Sequence, residues 1–317
     1  MANDIEISVA IPVYGSASIL PELAAQLESA LSAQVGAGAF EVVLVNDCGP
    51  DDAWQVIVDL AESRPWLRGI DLRKNVGQHN ALMAALRVCR GRYLVTMDDD
   101  LQHSPSDIAP VVAALRDGAD LCYVEFASRQ HVLWKRFGSH FNDLVAQRLL
   151  NKPKGLYLSP FRGFTAAIRD DVVRYEGPFV YLDGLLLQNT DNIRSVQGIH
   201  HVRLDGRSGY SLRKSISLWL KMATSFSVAP LRLVSFAGML AAALAFAMAL
   251  VVFVEKLLTP DMPVGWPSLI ITILFMGGLQ LLALGAIGEY TGRILLTVNG
   301  RPQFVMGRTV NLDSPQV

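Results

Sequence analysis

Residues 93–103 read YLVTMDDDLQH, an apolar stretch that runs directly into three consecutive aspartates. Its first five residues are typical of a buried β-strand, and the polar turn begins at Asp98. Adjacent carboxylates repel one another unless a cation or a solvated turn accommodates them. Carboxylate oxygens are the ligands that Mg²⁺ and Mn²⁺ prefer, and Mg²⁺ usually keeps substrate phosphate oxygens in its shell. The stretch therefore predicts a strand whose carboxyl end carries either a metal site or a solvated loop.

Short apolar segments alternate with helical windows on both sides of this strand. The alternation predicts right-handed β-α-β units and a mostly parallel, Rossmann-like sheet over residues 1–210, since each parallel strand needs a crossover helix. The predicted strands cover 7–13, 41–46, 69–72, 93–97 and 121–124, and the predicted helices cover 19–34, 52–63, 78–89 and 105–116.

Polar segments follow the strands of this domain at 14–16, 47–52, 73–78 and 98–103. In open α/β sheets, ligands bind in the crevice beyond the carboxyl ends of the strands. Because all four polar segments fall at that edge, we interpret it as the candidate active site.

Two long apolar runs lie near the C-terminal end of the chain. Residues 233–254 form a run of 22 residues without a charge, and residues 268–288 add 21 more with Gln280 as the only strongly polar side chain. About 20 helical residues cross the hydrocarbon core of a bilayer. We therefore predict a transmembrane helical hairpin over 233–290, with a juxtamembrane amphipathic helix before it at 211–232 and a cytoplasmic tail after it at 291–317.

Charge is divided unevenly along the chain, although the formal net charge is only −1. Residues 1–128 carry 8 Lys/Arg against 18 Asp/Glu, whereas the rest carries 20 against 11. The basic part also contains the apolar runs, as expected for contact with anionic lipid or a lipid phosphate. The near-neutral total argues against nucleic acid. Basic residues flank the hairpin but are scarce in its linker, so both termini and the catalytic domain are expected in the cytoplasm.

Two further stretches, 134–145 and 212–226, carry apolar residues at helical spacing beside basic ones. Each pattern is typical of an amphipathic helix in the membrane interface. For the first stretch, packing on the sheet is an equally good interpretation. The second leads directly into the first apolar run, which favours the interface.

Five short motifs occur in a fixed order along the chain. They are Ile11-Pro12-Val13-Tyr14, Val45-Asn46-Asp47, Asn75-Val76-Gly77-Gln78-His79, Asp98-Asp99-Asp100-Leu101-Gln102-His103 and Gly288-Glu289-Tyr290-Thr291-Gly292-Arg293. Together with the two apolar runs, they resemble glycosyltransferase family 2, and within it the enzymes that transfer a sugar to dolichyl or undecaprenyl phosphate. The resemblance implies a GT-A fold, a UDP-linked sugar donor, a polyprenyl phosphate acceptor and a Mg²⁺ or Mn²⁺ ion. It also implies a multi-pass protein of the bacterial inner membrane and a homo-oligomer, a tetramer in the family.

The resemblance assigns donor-binding roles at the strand-end edge. Pro12 and Tyr14 correspond to the loop that packs on the nucleotide base, and Asp47 corresponds to the carboxylate that hydrogen-bonds the uracil edge. Lys74 and Gly77 are further donor-binding candidates.

The family's metal motif falls on Asp98, Asp100 and Gln102, with Asp99 as the spacer residue, and Asp98 is also a donor-binding candidate. The segment 206–214 is similar to the family's loop that closes over the diphosphate, which makes Arg207 a donor-binding candidate as well.

The acceptor phosphate has its own candidates. Arg129 corresponds to a basic residue near the acceptor phosphate in these enzymes, and the other candidates are Lys135, Arg136, Arg213 and Lys214. Asp183 is either a general base or sugar-hydroxyl ligand, or an ordinary loop carboxylate.

A phosphate acceptor accounts for the lack of an obvious general base. A phosphate monoester has a second pKa near 6 and is already largely dianionic at neutral pH, whereas a hydroxyl acceptor needs a positioned base. Attack on the face opposite the leaving diphosphate predicts inversion at the anomeric carbon.

Some residues depart from the family pattern. Gly15-Ser16 replaces Asn-Glu, and Asn46 replaces an aspartate. The segments 159–164 and 181–184 also differ where sugar selectivity is expected, so the sugar stays open.

Two other function classes share parts of this pattern. A processive polysaccharide synthase usually has more spans and a Gln-x-x-Arg-Trp motif, which the sequence lacks. A catalytically inactive membrane scaffold or flippase partner would be expected to lose the acidic cluster, which is intact.

Overall fold

The computed structural model of the chain describes residues 5–36, 38–126, 152–153, 155–198, 229–258 and 265–312. The chain divides into two compact units. Residues 1–209 and 300–317 form the sheet unit, and residues 210–299 form the helical unit.

The sheet unit is built on eight described strands. They are β1 Ile7–Val13, β2 Phe40–Asn46, β3 Leu67–Leu72, β4 Tyr93–Thr96, β5 Leu121–Phe126, β6 Arg162–Thr165, β7 Ile193–Gly198 and β8 Met306–Val310. Their order across the sheet is β7-β5-β6-β4-β1-β2-β3-β8. Only β6 and β8 run antiparallel to their neighbours, so the described sheet is mostly parallel, as the alternating pattern predicts.

The described part of the sheet unit contains six α-helices: α1 Leu20–Val35, α2 Ala53–Ser63, α3 Gln78–Val88, α4 Ile108–Arg116, α5 Ala166–Val173 and α6 Leu182–Asn189. Helix α1 packs against α2 and α4, whereas α3 packs against α5, which in turn packs against α6. Two such groups are typical of a sheet that is covered on both faces. Accordingly β2 is buried at every residue.

The five strands and four helices predicted from the sequence are confirmed, with most ends within two residues of the predicted ones. The predicted helix 105–116 is divided into a 3₁₀ turn, Pro105–Asp107, and α4. Hydrophobic periodicity locates these elements well because each carries its own apolar pattern.

The last strand changes the picture of the C-terminal segment. Residues 291–317 are predicted as a tail, but the preceding helix continues to Val298, and β8 then pairs antiparallel with β3 in the register Ile70 opposite Thr309. The partner strand lies more than 230 residues earlier in the chain, so local pattern carries no signal for this pairing. The part of this segment from residue 300 onward therefore belongs to the sheet unit.

The helical unit contains two long helices that pack against each other, α7 Ala229–Leu258 and α8 Trp266–Val298. They coincide with the two predicted apolar runs. Within the described residues, one segment, Phe275–Val298, is long and apolar enough to cross a membrane, while Val234–Met248 forms a shorter apolar helix. One candidate span is thus supported, with bounds shifted from the predicted 268–288. The predicted helix 134–145 lies outside the described residues. Of the predicted juxtamembrane helix 211–232, only residues 229–232 are described, and they belong to α7.

Candidate active site at the strand ends

The loops after β1, β2 and β4 are held together by carboxylates. Asp99 accepts hydrogen bonds from the backbone N–H of Tyr14 (3.2 Å) and from the Ser16 hydroxyl. Asp51 accepts a hydrogen bond from the backbone N–H of Ala17 (2.8 Å). The motif's predicted spacer, Asp99, therefore fastens the first-strand loop to the acidic strand end. Ser16, a departure from the family pattern, adds a side-chain hydrogen bond to the one from the Tyr14 backbone.

Asp47 joins the end of β2 to the start of α3. Its two carboxylate oxygens accept hydrogen bonds from the backbone N–H groups of Val76 (2.7 Å) and Gly77 (2.8 Å). Gly77 has φ +85°, a backbone conformation that favours glycine. Burial raises the pKa of Asp47, and the two backbone hydrogen bonds oppose that rise. The structure thus brings the predicted donor residues Asp47 and Gly77 into contact.

The other predicted donor residues border the same edge. Pro12 lies half-buried near the end of β1, and Tyr14 is 58% exposed just beyond it. Lys74 is exposed in the loop before α3. A solvent-facing tyrosine at a strand end is available to stack on a ligand.

Asp98 and Asp100 each accept a hydrogen bond from a glutamine side chain. Gln78 donates from Nε2 to Asp98 Oδ1 (2.6 Å), and Gln102 donates from Nε2 to Asp100 Oδ2 (2.6 Å). Burial, followed by the charges of Asp100 and Asp99, raises the pKa of Asp98 to about 6. The nearby positive charge and hydrogen bonds therefore do not offset the burial of Asp98 and its repulsion from Asp99 and Asp100.

This donor set fits a divalent cation. Among the described residues, no three His, Cys, Asp or Glu side chains converge on one point, so the protein does not present a closed cage. Two carboxylates with an adjacent amide are instead the kind of open site in which Mg²⁺ or Mn²⁺ takes substrate phosphate oxygens as further ligands. A cation here would also relieve the repulsion that raises the pKa of Asp98.

A buried polar cluster beside the acidic strand end joins the predicted site residue Asp183 to Tyr123 and Arg162, which the sequence does not single out. Asp183 Oδ1 accepts hydrogen bonds from the Tyr123 hydroxyl (2.9 Å) and from Arg162 Nη1, with which it forms an ion pair. The charge of Arg162 also lowers the pKa of Asp98, against the larger effect of burial. Arg162 thus interacts electrostatically with both carboxylates, those of Asp183 and Asp98. Asp183 is compensated by a cation, which favours a positioning or ligand role for it over that of a general base.

Arg162 has spare hydrogen-bonding capacity. Its Nε atom is buried and has no hydrogen-bond partner among the described residues. Buried donors are almost always paired, so such an atom marks a position where a ligand oxygen or a water would be bound. Arg162 follows Phe161 in the 159–164 segment that departs from the family pattern, which was the only signal in the sequence.

His79 packs edge-on against Tyr181, with ring centroids 5.1 Å apart, and its Nδ1 accepts a hydrogen bond from the N–H of Leu182 (3.4 Å). Burial lowers the pKa of His79 to about 4; Asp183 opposes and Arg162 reinforces this shift. The unfolded chain binds this proton below pH 6.5, whereas the folded chain binds it only near pH 4. Stability contributed by the neutral ring is therefore lost as the pH falls through that window.

We expect His79→Asn to flatten the pH dependence of stability. An asparagine side chain cannot titrate, so the destabilisation of the variant relative to the parent should shrink by roughly 3 kcal/mol between pH 7 and pH 4. Thermal unfolding of detergent-solubilised protein measures both curves. Asp98, whose raised pKa makes stability fall as the pH rises, contributes equally to both curves. Its contribution therefore cancels when the stability of the variant is compared with that of the parent. Parallel curves would contradict this assignment.

The remaining predicted site residues lie outside the described residues. They are Arg129, Lys135, Arg136, Arg207, Arg213 and Lys214. Their roles stay predictions.

The fold and the strand-end site define a ligand-binding α/β protein of the GT-A type, with its acidic motif at the end of β4. The family model for glycosyl transferase family 2 matches residues 8–175. An undecaprenyl-phosphate 4-deoxy-4-formamido-L-arabinose transferase from Klebsiella pneumoniae is 31% identical over 96% of this chain and 94% of its own. An enzyme of the same name from Yersinia enterocolitica is 29% identical over 98% of this chain and 95% of its own. The chain belongs to glycosyl transferase family 2, which confirms the family predicted from the motifs.

A solved structure of similar fold is glucosyl-3-phosphoglycerate synthase from Mycobacterium tuberculosis, in complex with Mn²⁺, UDP and phosphoglyceric acid. Its TM-score is 0.51 at 16% identity, covering 69% of this chain and 76% of that one. At this identity the likeness concerns the fold, and it agrees with the mostly parallel sheet described above.

Proposed function

We propose that the chain transfers a sugar from a UDP-sugar to undecaprenyl phosphate, with inversion, at the cytoplasmic face of a bacterial membrane. The observation that carries this proposal is the similarity to undecaprenyl-phosphate sugar transferases over nearly the whole chain, apolar helices included. The product is a lipid-linked sugar for modification of an envelope glycan.

The donor lies across the strand ends in this proposal. Asp47 accepts a hydrogen bond from the uracil N–H, and Pro12 and Tyr14 pack on the base. Lys74 and Gly77 line the same edge of the sheet. Asp47 can do this because each of its oxygens accepts a single backbone hydrogen bond and keeps a second lone-pair direction. The hydrogen bonds to Asp99 keep Tyr14 beside the acidic strand end, so base and diphosphate are positioned together.

Asp98 and Asp100, with Gln102, would hold the divalent cation. When bound, the cation neutralises charge on the leaving nucleoside diphosphate. Gln78 and Gln102 orient the two carboxylates through their side-chain amides. Arg162 reduces the cost of holding Asp98 ionised, and it offers its free Nε to the donor. The fold neighbour was solved with Mn²⁺ and UDP, which makes these the first ligands to try.

The acceptor needs no general base. Its phosphate is already charged at neutral pH, so the site has to hold it and screen its charge. Arg129, Lys135, Arg136, Arg213 and Lys214 are proposed for this role and Arg207 for closing over the diphosphate. Asp183 is already engaged with Arg162 and Tyr123, in keeping with a mechanism without a protein base.

The course of the chain supports an even number of membrane crossings. It leaves the sheet unit before residue 210 and returns to the same unit after residue 299, where β8 joins the sheet. A single crossing by Phe275–Val298 would leave β8 on the opposite side from β3. We therefore propose that α7 also crosses, and that the sheet unit and both termini are cytoplasmic. The large apolar side chains exposed along α7 and α8 fit lipid contact.

The orientation predicts a labelling pattern. In a Cys48→Ser background, a cysteine at Thr259 in the linker should react with a membrane-impermeant maleimide added to intact cells. A cysteine at Ser314 should react only after permeabilisation. Labelling of the Ser314 position from outside would place the sheet unit away from its cytoplasmic donor and overturn the topology.

The function itself is tested with purified protein, undecaprenyl phosphate and a panel of nucleotide sugars. Mass spectrometry of the lipid fraction should show one new sugar-phosphate lipid for a UDP-sugar. Absence of product with every donor, or growth of a polymer, would contradict the proposal. The tetramer that the resemblance implies is part of the proposal, and light scattering in detergent measures it.

A further inference from the structure

Three side chains from three adjacent strands form a hydrogen-bonded chain at one end of the sheet. Arg308 of β8 donates from Nε and Nη2 to Asp71 Oδ2 at 2.8 and 2.6 Å. Asn46 of β2 donates from Nδ2 to Asp71 Oδ1 at 2.8 Å. The backbone N–H of Gly49 in turn donates to Asn46 Oδ1 at 3.2 Å. The chain therefore runs from the C-terminal strand to the turn after β2.

That turn belongs to the proposed donor site. It contains Asp47, and it bends at Cys48, which has φ +53°, a left-handed conformation that non-glycine residues adopt at a cost. A strained turn holds its shape only when its surroundings fix it. Asn46, which is 5% exposed, is one of the contacts that fix it, since it bonds both the turn and Asp71. Asn75 Nδ2 also donates to the Asp47 carbonyl (3.2 Å).

The chemistry of each position follows from its neighbour. Asp71 is buried and needs a cation, which Arg308 supplies through two charge-assisted hydrogen bonds. Position 46 requires a side chain that both donates and accepts, and the Asn46 amide does both. A carboxylate there would face the carboxylate of Asp71 and could not donate to it, so the amide is the group that connects the turn to the ion pair.

Arg308 is itself held in place. Its guanidinium lies over the Trp54 ring, 5.2 Å from the centroid. On either side of it, Gln303 donates to the carbonyls of Tyr175 (2.8 Å) and Gly177 (2.9 Å), and Asn311 donates to those of Ala61 and Leu67. The segment that follows α8 is thus fastened on both sides of Arg308.

We infer that Arg308 is a positioning residue for the donor: through Asp71 and Asn46 it fixes the 46–49 turn, and with it the Asp47 carboxylate. All three residues, together with Cys48 and Gly49, also line a cavity of about 450 Å³ beside that turn. The inference rests on the proposed function for the identity of the donor. By this inference, the C-terminal strand β8 helps to position the nucleotide-binding residues.

The test compares Arg308→Gln with Arg301→Gln, an exposed arginine of the same C-terminal segment. In Arg308→Gln we expect the KM for the nucleotide sugar to rise about tenfold, with kcat and the KM for undecaprenyl phosphate within twofold of the parent, and in Arg301→Gln no change. Arg308→Lys, which keeps the charge but not the paired hydrogen bonds, should fall between them. Equal losses for both substrates in Arg308→Gln would mean a general structural role and overturn the inference.

A second measurement does not depend on turnover. Hydrogen–deuterium exchange of the peptide covering 46–52 should accelerate at least fivefold in Arg308→Gln and stay unchanged in Arg301→Gln. Asn46→Asp should accelerate it too, and Asn46→Asp combined with Asp71→Asn should restore protection, because one amide again faces one carboxylate. If the parent uses no nucleotide sugar, the proposed function fails. The exchange comparison still decides whether the hydrogen-bonded chain from Arg308 fixes the 46–49 turn. Unchanged exchange in Arg308→Gln would contradict the positioning role of Arg308 even if the parent is an active transferase.

Discussion

Replacing Asp100 with asparagine should lower the rate of sugar transfer at least about a thousandfold while the sheet unit stays folded. A metal clamp on a departing phosphate supplies several kcal/mol, and about 1.4 kcal/mol corresponds to a factor of ten in rate. The substitution keeps the shape of the side chain, and its Oδ1 can still accept the hydrogen bond from Gln102. The change removes the negative charge proposed to hold the cation, together with one of the two oxygens that accept hydrogen bonds from Gln102.

The matched control is Asp99→Asn, the same change one residue earlier. Asp99 faces Tyr14 and Ser16 rather than the Asp98–Asp100 pair, so its variant should keep the metal affinity of the parent. Calorimetric titration with Mn²⁺ gives that affinity directly, and near-ultraviolet circular dichroism checks the fold. Undiminished turnover of Asp100→Asn, or of the parent protein in excess chelator, would show that transfer does not need the cation.

The sequence could predict much of this fold because the parallel part of the sheet is locally encoded. Strands β1 to β4 are buried on both faces, and β1, β2 and β4 appear as mostly apolar runs next to a helical pattern. Strand β3, by contrast, carries the buried polar side chains Arg68 and Asp71. The acidic site was predictable for the same reason, since Asp98 and Asp100 directly follow one such run. Polar residues at strand ends converge whatever the details of packing.

Other contacts were beyond the reach of the sequence because they depend on pairing between distant segments. Strand β6 enters between β4 and β5 in the antiparallel sense, which alone places Arg162 beside the acidic strand end. Arg308 reaches Asp71 only because the chain returns from α8 to the edge of β3. The role of Asp99 was missed for a different reason: its partner Ser16 departs from the family pattern, so the resemblance offered no contact for it.

The buried ion pair between Arg162 and Asp183 predicts the largest effect on stability. Both side chains are almost fully buried, at 3% and 9% exposure. Replacing Arg162 with methionine keeps most of the stem volume but leaves Asp183 charged, buried and without its cation. Removing one partner of a buried pair costs about 3–5 kcal/mol. For a unit of this size, that corresponds to a fall in Tm of roughly 10 °C.

Two further variants separate the ion pair from simple packing. Arg174→Met is the surface control. The Arg174 and Asp171 side chains are 77% and 46% exposed, and such surface pairs contribute at most about 1 kcal/mol.

The double variant Arg162→Met, Asp183→Leu removes both buried charges. It should recover most of the stability that Arg162→Met loses, because no uncompensated charge remains. Its transfer activity should stay low, since Arg162 also lowers the pKa of Asp98 and, in the proposed function, offers Nε to the donor. Thermal unfolding followed by tryptophan fluorescence measures all three variants. A double variant no more stable than Arg162→Met would mean that packing, rather than the unpaired carboxylate, sets the cost.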